Sequence, residues 1–177
     1  MKQTQSRNSG QILPDVLADG LDVVFCGSAA GSASAKAGAY YAGPGNRFWQ
    51  ILHESGLTPR QLLPSEFRNV VQYGIGLTDL SKFQSGADSV LSTAGDDTSG
   101  LAEKIIAYAP RALAFNGKRS GGVFLREVLA YNNIEDYGLQ PHALGTTVLF
   151  VLPSTSGAAR RWWDTTPWRA LGEYLEC

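Results

Sequence analysis

The sequence predicts an α/β fold in which a parallel sheet is covered by helices on both faces. Three observations carry this. Apolar runs of strand length alternate with segments of helical spacing. Three of those runs end in a small-residue turn, as a buried strand does where it passes into a loop. Glycine is abundant, at 20 of 177 residues, which suits tight turns and close backbone approach to a ligand.

Taken in order, residues 1–12 form a polar leader, and the domain proper is expected over residues 13–177. Asp22-Val23-Val24-Phe25-Cys26-Gly27 is the first buried strand and its turn. An Ala, Gly and Ser stretch follows from Ser28 to Gly45, with Tyr40 and Tyr41 inside it. Asn46 is placed to cap a helix whose inner face carries Phe48, Ile51, Leu52 and Ser55, and Gly56 stops it. Thr58-Pro59 is expected to open another helical piece, and Val70 to Leu80 reads as a strand and turn. The polar stretch from Ser81 to Gly100 reads as a long loop. Leu101 to Tyr108 has helical spacing and ends at Pro110. Arg111 to Gly117 is a further strand-to-glycine unit, Val123 to Tyr131 a helix, Thr147 to Pro153 a strand and Thr166 to Leu175 a closing helix. Ligands of such sheets bind at the carboxyl ends of the strands, so the loops after Gly27, Gly76, Gly117 and Pro153 are expected to share one rim.

Composition excludes several classes. Fifteen Lys and Arg balance sixteen Asp and Glu for a net charge of -1, which speaks against a strongly basic, non-specific DNA coat but leaves room for a local basic face. No apolar run approaches the roughly 20 residues of a membrane helix. Met1 to Gly10 lacks an apolar core, so no signal peptide is read there. The two cysteines, Cys26 and Cys177, offer neither a disulfide framework nor a zinc site, and His53 and His142 have no ligand cluster beside them. A reducing, cytoplasmic setting and no metal are the expectations.

Four short patterns carry chemistry. Gly27-Ser28-Ala29-Ala30-Gly31 follows a strand and can turn backbone N–H groups towards a planar or anionic group, although a plain strand-to-loop turn has the same pattern. Ala39 to Trp49 sets aromatics among Gly and Pro, so a tyrosine ring could stack on a base; Phe48 and Trp49 read as core. In Gly76-Leu77-Thr78-Asp79-Leu80, Asp79 is either a turn residue or an acid at the rim, able to act as base or fixed charge. In Leu152 to Trp163, Ser154 and Ser156 precede Gly157 and the pair Arg160-Arg161, which fits a groove-entering loop with phosphate contacts or simply a helix cap with a solvated basic pair. No Gly-x-Ser-x-Gly elbow supports a serine nucleophile.

Together, Val23-Val24-Phe25-Cys26-Gly27, Gly45-Asn46-Arg47-Phe48-Trp49, Gly76-Leu77-Thr78 and Val151-Leu152-Pro153 with Ser156-Gly157 resemble the uracil DNA glycosylase superfamily. The similarity is greatest to its mismatch-specific uracil/thymine branch and runs from about Leu17 to Trp163. The resemblance implies a three-layer α/β/α sandwich with a short central parallel sheet. It implies a monomeric enzyme without cofactor, acting on double-stranded DNA, with single-stranded DNA as a further partner, that flips a mismatched or damaged base out of the helix and hydrolyses its N-glycosidic bond. By position, Tyr41 matches the aromatic that stacks on the base, and the backbone at Ser28 and Tyr41 matches the groups that read the base edge; Ala29 and Ser154 are expected to bind the base beside them. Gly157, Ala158, Ala159 and Arg160 match the wedge, with Arg161, Lys118 and Arg119 as further phosphate contacts.

This chain departs from the family at two places. The first motif has Ala29 where an asparagine normally positions water, and the last reads Ser154-Thr155-Ser156-Gly157 with Ala158 in place of a larger apolar residue. Asp79 is then the candidate to take over the missing duty. A catalytically silent DNA-binding module and a nucleotide- or nucleoside-binding enzyme are the competing readings.

Overall fold

A computed structural model describes residues 10–134 and 136–177. Most of the expected leader lies outside these residues, but Ile12 N–H donates to Lys82 O (2.8 Å) and Leu13 is buried. Five strands form one sheet in the order β2-β1-β3-β5-β4: β1 Val23–Gly27, β2 Ile75–Asp79, β3 Ala112–Asn116, β4 Gly138–Leu144 and β5 Thr147–Leu152. The first three and β5 are parallel, and β4 is an antiparallel edge.

The central strands are buried on both faces, so alternate side chains feed two cores. Val23 and Phe25 of β1 join Ile75, Leu77, Ala112 and Ala114 in one. There they meet α2 (Phe48–Glu54) and α5 (Thr166–Glu176). Phe25 is the hub, edge-on to Phe48 at 5.3 Å and stacked on Trp168 at 5.5 Å. Burying a ring of this size contributes about 1.5–3 kcal/mol. Val24, Cys26, Leu113 and Phe115 form the other core with α3 (Thr98–Tyr108) and α4 (Lys118–Leu129). The result is the three-layer α/β/α sandwich. Gly121 lets α4 lie close on the sheet, because a Cβ there would meet Val151 Cγ2 at 2.8 Å.

The expected elements shift in several places, and α3 and α4 begin earlier than expected, at Thr98 and Lys118. Residues 58–63 are not helical; Leu63, before Pro64, is extended, and a 3-10 helix spans Pro64–Tyr73. That helix takes the first part of the strand expected over 70–80, and a left-handed Gly74 (φ 72) separates it from β2. Gly76 therefore sits inside β2, and Asp79 is the end of the strand at the rim. A short helix α1 (Ser32–Ala37) lies within the Ala, Gly and Ser stretch. His142 lies in β4, a strand that the sequence pattern does not announce. Pro141 hides that strand from the pattern, since only an edge strand tolerates the lost N–H.

Candidate active site

β1 and β2 pair in register to their last residues, Gly27 opposite Asp79. The pairing continues past the sheet through Leu80 N–H to Gly27 O (2.9 Å) and Ser81 N–H to Ser28 O (2.8 Å). This carries Asp79 beside the loop that follows β1. A cleft of about 740 Å³ opens there, at the carboxyl ends of β1, β2, β3 and β5. Its floor holds Gly27, Asp79 and Asn116; its walls include Ser28–Ser34 on one side and Ser154–Arg160 on another.

Asp79 is 6% exposed. Burial pushes its pKa up from 3.8 to about 7; the positive Lys82 pulls it down in part and the negative Asp15 adds to the rise. Near neutrality this carboxyl therefore exists in both protonation states, as a group exchanging a proton at physiological pH requires. Gly27 is what lets it in: a Cβ at that residue would lie 2.7 Å from Asp79 Oδ1 and 3.4 Å from Tyr41 Oη.

Behind Asp79 lies a partly buried ionic network. Lys82, 5% exposed, sets its Nζ 2.7 Å from Asp15 Oδ1 and donates to Tyr40 Oη at 3.1 Å. Lys104 Nζ lies 2.6 Å from Asp15 Oδ2, and Thr78 Oγ1 donates to Asp15 Oδ1 at 2.7 Å. Burial alone would raise the Asp15 pKa, but the two lysines outweigh it and hold it below the usual carboxylate range. Asp15 and Thr78 thus anchor a lysine next to the end of β2, and Asp15 is not conspicuous in the sequence.

Tyr41 is held in the left-handed region (φ 53), a conformation that costs a non-glycine residue about 1–3 kcal/mol. Its ring stacks on Phe48 at 3.8 Å and forms part of the cleft wall. Its hydroxyl is buried without a hydrogen bond of ordinary geometry, although Asn116 is near enough to pull its pKa down against the larger effect of burial. The Asn116 amide is committed to the loop after β5: Nδ2 donates to Thr155 Oγ1 (2.8 Å) and Oδ1 accepts from Thr155 N–H (3.0 Å). That clamp leaves the amide one N–H and one lone pair for a ligand. Asn116 was missed as a site residue, yet the strand-end rule that singled out Asp79 applies to it equally.

The other expected site residues divide. Ser28, Ala29, Ser154, Gly157, Ala158, Ala159 and Arg160 all line the cleft. Arg161 is exposed beside it. Lys118 Nζ lies over the Tyr137 ring (4.6 Å), outside the cleft lining, and Arg119 pairs with Asp96 (3.1 Å). Both head α4, where aromatic and acidic neighbours engage them first. Part of the expected 81–100 loop joins the site, since Gly86, Ala87 and Asp88 form a lip of the cleft. Gln84 braces that lip, accepting from Ser92 N–H (2.9 Å) and donating to Ser92 O (3.0 Å).

The α/β/α sandwich thus sets a buried acid and a clamped amide together at the mouth of its parallel sheet. A family model for the uracil DNA glycosylase superfamily matches residues 14–172, and the chain belongs to that superfamily. Among solved structures it is similar to a protein of Methanosarcina acetivorans, determined in solution and provisionally named a uracil DNA glycosylase. The two share 26% identity over 93% of this chain and 97% of that one, with a TM-score of 0.64. Members of the superfamily are DNA glycosylases, hydrolases that act on DNA. No helix among the described residues is long and apolar enough to cross a membrane.

Proposed function

We propose that this protein is a monofunctional glycosylase of the mismatch-specific type, which flips uracil, or a related damaged or mismatched base, out of duplex DNA and hydrolyses its N-glycosidic bond. G·U is the leading substrate and G·T a further one, because extrusion costs a few kcal/mol and least at a weak pair. The observation that carries the reading is Asp79: a buried carboxyl with a pKa of about 7, in the cleft that Ala29 lines without an amide.

In the proposed reaction the C1′–N bond breaks first, and its electron pair leaves with the base. Backbone N–H groups of the Ser28–Gly31 loop meet the charge on the base. The ionised Asp79 stabilises the cationic sugar and orients a water, which adds to C1′ as its proton passes to the carboxylate. Tyr41 supplies the stacking face, and Asn116 and Ser154 read the base edge. Arg160 and Arg161 meet phosphates. The protein acts as a monomer on nucleoid DNA in the cytoplasm.

Single-turnover assays on G·U, A·U and single-stranded uracil oligonucleotides test the reading. Asp79→Ala is expected to cut release by orders of magnitude while leaving DNA affinity within a few-fold. Binding without release by the wild type would convert the assignment to a silent DNA-binding module. Binding of free nucleotide with little salt dependence would favour the nucleotide enzyme, since duplex binding weakens steeply with salt.

A further inference from the structure

The turn after β5 is the segment expected to enter the duplex, yet its tip carries only Gly157, Ala158 and Ala159. Two methyl groups offer little surface to fill a gap between base pairs. The same 3-10 turn ends in Trp162, which is 69% exposed and lines the cleft. Its neighbour behaves in the opposite way. Trp163 is half-buried, under the Arg47 guanidinium (5.1 Å) and 6.5 Å from Trp168, which is fully buried. Trp49 is buried too. Of the four tryptophans, three are drawn into the fold and one is held out at the cleft mouth.

The turn that presents it is fixed. Ser156 Oγ accepts from Ala158 N–H (3.3 Å), and Trp163 N–H donates to Arg160 O (3.3 Å). Arg160 and Arg161 stand exposed next to the ring, so the patch is apolar with a cationic border. A flat aromatic surface bordered by guanidinium groups complements a base face bordered by phosphates.

We infer that Trp162, rather than the small residues at the tip, is the stacking element that engages the duplex beside the lesion, covering the base face uncovered when the target base leaves the helix. The inference rests on the proposed glycosylase reading and adds a DNA-contact residue to the same site. An aromatic ring stacked on a base contributes about 1–3 kcal/mol, or roughly five- to 150-fold in affinity.

The test compares wild type, Trp162→Ala and Trp162→Phe on two labelled duplexes, one intact and one with a tetrahydrofuran abasic residue, by fluorescence anisotropy. Melting temperature serves as the folding control. Trp162→Ala is expected to bind the abasic duplex about tenfold more weakly, within that stacking range, and the intact duplex within twofold of wild type. Trp162→Phe should recover most of the loss. Quenching of intrinsic tryptophan emission by the abasic duplex should appear in wild type and vanish in Trp162→Phe. Equal affinities of all three proteins for the abasic duplex overturn the inference, as does an equal loss on both duplexes, which would make Trp162 a general surface contact. If the wild type itself shows no preference for the abasic duplex, the glycosylase reading falls and takes the inference with it.

Discussion

Replacing Asp79 by Asn should stabilise the protein in a pH-dependent way, because the carboxyl is buried at a thermodynamic cost. Moving its pKa from 3.8 to about 7 corresponds to about 4 kcal/mol against the charged form. The folded state holds the proton up to about pH 7, whereas the unfolded chain releases it near 3.8. Between those values the folded state binds more protons, so the contribution of Asp79 to stability falls as pH rises through the window. The cost is absent below it and complete above it. Asparagine has no such titration. The stability difference between Asp79→Asn and wild type should therefore be near zero at pH 4 and grow to as much as about 4 kcal/mol at pH 8. For a domain of this size that is up to roughly 16 °C in Tm. Ionisable groups elsewhere in the chain are common to both proteins and drop out of the difference. Urea unfolding of both proteins from pH 4 to pH 8 measures it. A difference that stays constant with pH, or an Asn variant less stable than wild type at pH 8, refutes the argument that burial dominates the Asp79 environment. The same substitution should abolish uracil release, so the expected result is a protein that is more stable and inactive.

Three further outcomes follow from the geometry. Gly27→Ala puts a methyl 2.7 Å from Asp79 Oδ1, so uracil release should fall at least tenfold while circular dichroism reports an unchanged fold. Lys82→Met removes the cation that lowers the Asp79 pKa, so the rise of activity with pH should move to higher pH; it also takes one of two lysines from Asp15, which keeps Lys104, with a stability loss of about 1–3 kcal/mol in urea unfolding. Tyr41→Phe deletes a buried hydroxyl that has no hydrogen bond, so equilibrium unfolding should show unchanged or higher stability, by about 1 kcal/mol, whereas Tyr41→Ala should weaken binding of DNA carrying an extrahelical base.

Much of the architecture was legible from local pattern. Val23–Gly27, Ala112–Asn116 and Thr147–Leu152 are continuous apolar runs because a parallel strand covered on both sides has no polar face to show. Asn46 could be read as a cap because capping is local, and its Oδ1 does accept from Phe48 N–H at 3.0 Å. β4 was not legible, since an exposed edge strand with a proline carries neither an apolar run nor clean alternation. The 3-10 helix over Pro64–Tyr73 was misread in part because Val70 is apolar and buried, and burial alone does not distinguish a helix face from a strand.

The site divides along the same line. Spacing along the chain marks polar groups at strand ends, and it puts Asp79, Ser154 and the Ser28–Gly31 loop on a common rim. It could not reach Asp15, which lies 63 residues from Thr78 and 89 from Lys104 and meets both only when the fold is complete. Nor could it show that Lys118 and Arg119 are already engaged, or that two adjacent tryptophans face opposite ways. The reason is physical. Strand-end position follows from spacing along the chain, whereas a buried group's charge state and a side chain's freedom depend on neighbours that only tertiary packing brings within a few ångströms.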